Sequence, residues 1–106
     1  MMGKFEGVHQ FDEKGRPAGG CTCGLGFCIS WQDGPLGRGE DRDLPNGAFV
    51  ETVIAAVVDR LEHYQRTEFA CEYNQKAIMH LEIALEELAA RTEDREERGV
   101  EGTHEV

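Results

Sequence analysis

The chain has 106 residues, and its 21 acidic residues against 11 basic residues give a net charge of −10. This length is enough for one domain but not for a large hydrophobic core of its own. Because phosphate groups and anionic lipids are repelled by such a charge, we expect neither a DNA partner nor a membrane partner.

The N-terminus carries no apolar run of the kind found in secretory signals, and no segment approaches the ~18 apolar residues of a membrane span. We therefore expect a reducing cytoplasm, in which the four cysteines are thiols and not a disulfide framework. A weaker alternative is a zinc site on Cys21, Cys23 and Cys28 with His9 nearby, although the spacing is not the usual Cys-x-x-Cys. The other alternative is that these cysteines are simply small residues of a sheet and its turns.

Residues 1–36 have the pattern of a small antiparallel β element. Residues 8–11 predict a short strand, and the Asp-Glu-Lys-Gly of residues 12–15 has the composition of a turn. Strict alternation of apolar with small or polar residues then predicts a half-buried strand. Its apolar positions are Leu25, Phe27, Ile29 and Trp31.

Two helices follow the β element. Residues 37–47 are polar and predict a loop, with Asn46 as the cap of a first helix over residues 48–65. A second helix is predicted over residues 70–98, with residues 99–106 as a tail. This second helix would be ~40 Å long at ~1.5 Å per residue. The fold class is therefore predicted as α+β, with an N-terminal sheet followed by an antiparallel two-helix hairpin.

Each predicted helix carries one apolar face. These faces comprise Phe49, Val53, Ile54, Val57, Val58, Leu61 and Tyr64 on the first helix, and Ala77, Ile78, Leu81, Ala84, Leu85 and Leu88 on the second. One small sheet cannot cover helices of this length, and burial of apolar surface is the main source of stability. We therefore expect an obligate homo-oligomer that associates through the helices.

Three arginines near the end of the second helix suggest two alternatives. Arg91, Arg95 and Arg98 share one helix face. They form either a solvated face, paired with Glu87 and Glu101, or a clamp for phosphate, whose oxygens match guanidinium groups. Acidic residues surround all three, so a clamp would bind by shape and not through a general positive field.

The remaining candidates are polar or aromatic residues near the hairpin turn. Tyr64 and Tyr73 are plausible packing aromatics, and Asn74 is placed to satisfy backbone groups at the start of the second helix. No Ser/His/Asp set, spaced carboxylate pair or phosphate-cradling glycine loop is present in the sequence. We therefore predict neither enzymatic activity nor a cofactor.

Several motifs occupy residues 31–36, 46–47, 54–65, 69–74 and 91–104. Together they resemble the phage Thoeris anti-defence signal-sponge family. The closing Arg-Gly-Val-Glu-Gly-Thr-His is the most specific of them. The resemblance covers roughly residues 25–106, and it departs from the family where Glu72 stands in place of an arginine.

The resemblance implies a fold, an assembly and a function. The family has an N-terminal β-sheet followed by a helical hairpin, and its members form dimers and often hexamers. They act in the cytoplasm of the infected host. There they sequester glycocyclic ADP-ribose, a bacterial immune signal, without cleaving it. Some also hold cyclic di- or trinucleotides of the CBASS system at separate sites.

The resemblance also implies site residues. Tyr64 matches the aromatic that stacks on the ligand, Asn74 matches a polar contact to base or ribose, and the phosphate-binding pair matches Arg91 and Arg95. These groups would meet only across a dimer interface.

The alternative function is an acidic protein-interaction inhibitor or nucleic-acid mimic that has no small-molecule ligand.

Overall fold

The structure, a computed structural model, describes residues 3–106. Met1 and Met2, the first two residues of the predicted β element, lie outside the described residues. The chain forms two compact units, of which one runs through Phe49 and includes Val100–Val106, and the other is Val50–Gly99. The prediction that the chain behaves as a single domain stays a prediction.

The first unit contains a three-stranded antiparallel sheet. Its strands are β1 (Phe5–Phe11), β2 (Pro17–Gly24) and β3 (Phe27–Ser30), in the order β1-β2-β3. At the β1–β2 turn, the carboxylate of Asp12 accepts hydrogen bonds from the backbone and guanidinium nitrogens of Arg16 at 3.0 and 2.7 Å. The backbone bond is the main reason why the pKa of Asp12 lies below its usual 3.8.

The predicted strand beginning at Leu25 is wrong at its first residues. Leu25 and Gly26 form the two-residue turn between β2 and β3, and the side chain of Leu25 is fully exposed. Gly26 has a φ of 87°, a conformation that a tight hairpin turn requires and that glycine adopts without strain. The alternating pattern continues through such a turn, so periodicity alone places the strand too early.

The central strand β2 was not predicted, because half of its residues are small or glycine and have low β propensity. Its position in the sheet explains this composition. A Cβ on Gly20 would overlap the carbonyl oxygen of Val8, and a Cβ on Gly24 would lie 2.6 Å from the ring of Phe27. The close approach of a backbone carbonyl at Gly20 and of an aromatic ring at Gly24 therefore selects glycine at these two positions.

The prediction that all four cysteines are thiols is wrong for two of them. Cys23 and Cys28 lie opposite each other across the β2–β3 hairpin, with Cα atoms 4.0 Å apart, and they form a disulfide. Cys21 and Cys71 are free. The disulfide is incompatible with the zinc alternative, since two of its three sulfur ligands are bonded to each other. Among residues 3–106, no group of three or more metal-ligating side chains forms a site.

The loop after β3 is tied to the sheet by side-chain amides. The sequence predicted Asn46 as the cap of the first helix, but Asn46 does not cap a helix. Its side chain instead pairs with the backbone of Asp33, at 2.8 Å to the nitrogen and 2.9 Å to the oxygen. Trp31 forms a parallel bridge with Ala48, which keeps residue 48 out of the helix. A 3-10 helix, Gly39–Asp41, lies within the loop.

The C-terminal residues return to this loop within the first unit. The backbone nitrogen of Gly37 donates to the carbonyl oxygen of Gly102 at 2.8 Å. The guanidinium of Arg38 donates to the carbonyl of Glu101 at 2.7 Å. The tail predicted over residues 99–106 is thus hydrogen-bonded to the loop.

The second unit is a helical hairpin of α1 (Val50–Gln65) and α2 (Glu72–Glu97). The predicted spans were residues 48–65 and 70–98. Val58 and Ile78 are the buried apolar side chains of this pair, at 7% and 4% exposure. A three-stranded antiparallel sheet followed by two helices confirms the α+β fold class. No helix within residues 3–106 has the length and apolarity needed to cross a membrane.

The close approach at Gly20 generates a first prediction. Replacing Gly20 by Ala forces β1 and β2 apart, because the new methyl overlaps the Val8 carbonyl and φ is 125°. We expect a loss of about 1–3 kcal/mol in the free energy of unfolding. Urea unfolding followed by fluorescence of Trp31, the chain's one tryptophan, measures it.

Gly3→Ala is the matched control, because a Cβ on Gly3 meets nothing within 4 Å. Its unfolding midpoint should equal that of the unchanged chain. Equal midpoints for Gly20→Ala and Gly3→Ala would contradict the proposed steric role of Gly20.

Candidate functional site

Tyr64 lies in the last turn of α1, and its ring is held by an arginine one helical turn earlier. The guanidinium carbon of Arg60 is 4.9 Å from the centre of the Tyr64 ring, and its Nε donates to the phenol oxygen at 3.2 Å. The ring of His63 is 5.9 Å away and tilted by 51°, so it does not stack on Tyr64. The ring of Tyr64 remains 38% exposed.

The connection between the helices is closed by the side chain of Gln65. Its amide nitrogen donates to the carbonyl of Cys71, and its amide oxygen accepts from the nitrogen of Cys71, both at 3.0 Å. The turn is tightened further by Thr67, whose hydroxyl donates to the carbonyl of Tyr64 at 2.6 Å. These bonds fix the last turn of α1 against the residue that precedes α2.

Asn74 lies in the first turn of α2 and is half-buried. Its side-chain nitrogen approaches the carbonyl of Phe69 at 3.5 Å, so the amide is directed back toward the connection. No group within residues 3–106 donates a hydrogen bond to its amide oxygen. Tyr64 and Asn74 are therefore both placed at the turn end of the hairpin.

The three arginines of α2 have different surroundings. Arg98 pairs with Asp94 at 3.1 Å. Arg95 is half-buried, whereas Arg91 is exposed and makes no hydrogen bond or ion pair within the described part of the chain. The predicted pairing of Arg91 with Glu87 is thus not formed there, and the guanidinium of Arg91 is available to a ligand.

The four predicted site residues fall into two separate pairs. Asn74 and Arg91 are seventeen positions apart on one continuous helix, which at ~1.5 Å per residue is ~26 Å along its axis. One chain therefore brings Tyr64 and Asn74 to one end of the hairpin and Arg91 and Arg95 toward the other. A single copy does not assemble all four groups around one small molecule.

The surface that carries these residues is open. Within residues 3–106, no polar or charged side chain is buried. Tyr64 offers a partly exposed aromatic ring, Asn74 an amide and Arg91 a guanidinium group.

A three-stranded sheet followed by a helical hairpin that carries an aromatic, an amide and arginines defines a small α+β hairpin domain. Residues 29–93, more than half of the chain, match the Acb2/Tad1 hairpin domain family. The chain belongs to this family. The resemblance drawn from its motifs to the Thoeris anti-defence sponges is thereby confirmed.

A curated relative agrees with this assignment. The chain is 53% identical over 60 residues to a protein named Thoeris anti-defense 1 from the Bacillus phage SBSphiJ7. The match covers 57% of the chain but 42% of that relative, so the chain matches less than half of the relative's length. The family match includes Tyr64, Asn74 and Arg91, whereas Arg95 lies two residues beyond its end.

Sequence reasoning missed two residues of this surface. Arg60 precedes Tyr64 by four positions, the spacing at which helical side chains meet, and that spacing is the signal that would have found it. Gln65 had no comparable signal, because its bonds to Cys71 depend on the path of the connection.

The connection generates a second prediction. Gln65→Ala removes both bonds to Cys71 and should lower the free energy of unfolding of the hairpin by about 1–2 kcal/mol. Far-ultraviolet circular dichroism during urea unfolding measures this change. Gln75→Ala is the control, because Gln75 is exposed and its side chain makes no hydrogen bond within residues 3–106. Equal unfolding midpoints for the two variants would contradict a stabilising role for Gln65.

Proposed function

We propose that this chain is a phage anti-defence protein that sequesters a cyclic ADP-ribose-type immune signal of the Thoeris system. It binds the signal in the cytoplasm of the infected bacterium and releases it chemically unchanged. The observation that carries the proposal is family membership, combined with the placement of Tyr64 and Asn74 at the turn end of the hairpin and of Arg91 farther along α2.

The chemistry of the signal suits these groups. An adenine ring presents a flat face to Tyr64, and its edge or the ribose presents partners to the amide of Asn74. The pyrophosphate carries the negative charge, which Arg91 and Arg95 neutralise through charge-assisted hydrogen bonds. No step in this scheme needs a nucleophile or a general base.

The length of α2 implies that two copies form the site. Because Asn74 and Arg91 are ~26 Å apart along the helix, the arginines of one copy reach the aromatic and amide of its mate only in a dimer. Exposed apolar side chains on both helices support this arrangement. They include Val50, Val57, Met79 and Ile83, each between 46% and 50% exposed. A hexamer of three such dimers is compatible with the same contact.

The third prediction concerns the arginine pair. Arg91→Ala and Arg95→Ala should each weaken binding of glycocyclic ADP-ribose by about tenfold to a hundredfold, and the double variant should abolish it. Isothermal titration calorimetry gives the affinity, and mass spectrometry of the ligand recovered after denaturation shows whether it is intact. Lys14→Ala is the charge-matched control, since Lys14 is an exposed turn residue of the first unit.

Three outcomes of this experiment would contradict the proposal. Full affinity in the double variant would exclude the clamp, and recovery of a hydrolysed ligand would exclude sequestration. Absence of binding by the unchanged chain, together with a salt-sensitive complex with a basic host protein, would favour the acidic inhibitor instead. Cyclic di- and trinucleotides, titrated in the same way, test for a second oligonucleotide site.

The fourth prediction concerns the shared site and is tested by complementation. A Tyr64→Ala chain and an Arg91→Ala, Arg95→Ala chain should each bind poorly, because every site in either homodimer lacks one half. After mixing and exchange, half of the sites in each heterodimer combine intact residues, so about one ligand per heterodimer should bind at full affinity. Light scattering reports the assembly, and calorimetry reports the stoichiometry.

If subunits exchange in the mixture but binding is not recovered, all four residues of a site come from one copy. A well-folded monomer at binding concentration would have the same consequence. Either result would require a different account of how Arg91 reaches a ligand at the turn.

A further inference from the structure

The last turn of α1 contains an arginine whose guanidinium is committed to a tyrosine. In Arg60 the guanidinium carbon lies 4.9 Å from the centre of the Tyr64 ring, and Nε donates to the phenol oxygen at 3.2 Å. One side chain thus makes two contacts with the same partner. Together they restrain both the plane of the ring and the environment of its hydroxyl group.

This arrangement differs from that of the arginines that pair with carboxylates. With 21 acidic residues against 11 basic residues, carboxylates are abundant, and Arg16 and Arg98 each pair with one. Within residues 3–106, Arg60 makes no ion pair, and its side-chain hydrogen bond and its cation–π contact are both with Tyr64. Its terminal nitrogens remain available.

Stability alone does not account for the contact. An exposed cation–π pair contributes ~0.5–1 kcal/mol, which is comparable to an exposed salt bridge. The two kinds of contact differ mainly in the group that they restrain. The cation–π contact restrains the Tyr64 ring, whereas a salt bridge from Arg60 to a carboxylate would leave that ring free to rotate. The arginine therefore contributes order at the ring more than it contributes stability to the helix.

We propose that Arg60 is a positioning residue that prepares Tyr64 to select its ligand. The guanidinium covers one face of the ring, so a nucleobase stacks on the opposite face. Because Nε already donates to the phenol oxygen, the hydroxyl hydrogen is directed away from Arg60 and donates to an acceptor on the ligand. The ligand class is a nucleotide that offers a flat base together with an oxygen or ring-nitrogen acceptor beside it. This inference rests on the proposed function of the Tyr64 site.

The test is a double-mutant cycle on binding of glycocyclic ADP-ribose, measured by calorimetry. Arg60→Ala should weaken binding about threefold to tenfold, as should Tyr64→Phe, which removes the hydroxyl and keeps the ring. In the Tyr64→Phe background, the added loss from Arg60→Ala should be clearly smaller, because the hydroxyl is no longer there to be oriented. Arg60→Lys retains the charge and should recover part of the affinity.

Two controls separate positioning from a structural role. Arg66→Ala removes an exposed arginine of the same unit, whose side chain makes no hydrogen bond or ion pair within residues 3–106, and should bind normally. The ring-proton NMR signals of Tyr64 should shift in ligand-free Arg60→Ala, while helix content by circular dichroism stays the same. Unshifted ring signals would overturn the positioning role.

The binding outcomes distinguish this inference from the proposed function. If Arg91→Ala loses affinity while Arg60→Ala binds as tightly as the unchanged chain, the role of Arg60 is overturned and the sponge stands. If the losses from Arg60→Ala and Tyr64→Phe add fully, Arg60 does not act through the hydroxyl. If the unchanged chain does not bind, both proposals are overturned.

Discussion

The uninterrupted length of α2 is the constraint on which the rest of the molecule depends. Its 26 residues contain no glycine or proline, so the helix is a stiff rod that separates Asn74 from Arg91 by ~26 Å. A rod of this length cannot fold back on itself to form a pocket. Any compact site that uses both of its ends requires a second rod beside it, and the exposed apolar side chains of both helices provide the surface for such pairing.

Charge acts on this surface at short range. A net charge of −10 repels a free anion at a distance, yet at contact a guanidinium fork gains charge-assisted hydrogen bonds. The structure distributes its arginines accordingly, since Arg98 is paired with Asp94 while Arg91 has no partner within residues 3–106. In the proposed site, selectivity then follows from the position of a few cations and not from a positive field, which favours one compact ligand over a long polyanion.

The sequence predicted the features that depend on the spacing of apolar residues. It did not predict the features that depend on contacts between residues distant in the sequence. The two helices and β3 follow from apolar spacing, whereas the glycine-rich central strand β2 carries no such signal. The family follows from the motifs. Pairing across the hairpin explains why Leu25 is in a turn and why Cys23 meets Cys28, and neither is visible from neighbouring residues. Asparagine is a common helix cap, but the side-chain amide of Asn46 makes two hydrogen bonds with the backbone of Asp33 instead. Of the predicted site, spacing places Arg91 and Arg95 on one face, while Tyr64 and Asn74 rest on resemblance.

In the proposed dimer, ligand binding and assembly become a single equilibrium. When each site takes residues from two copies, the ligand binds the dimer and not the isolated chain, so ligand stabilises the dimer by mass action. Capture without turnover then depends on protein concentration as well as on affinity, because a separated chain offers half a site. In this proposal, the cross-connection at Gln65 and the contact of Arg60 with Tyr64 order the turn before the ligand arrives, which lowers the entropy cost of binding. Order built into each half-site is then the means by which the proposed site on an acidic chain holds a small anion.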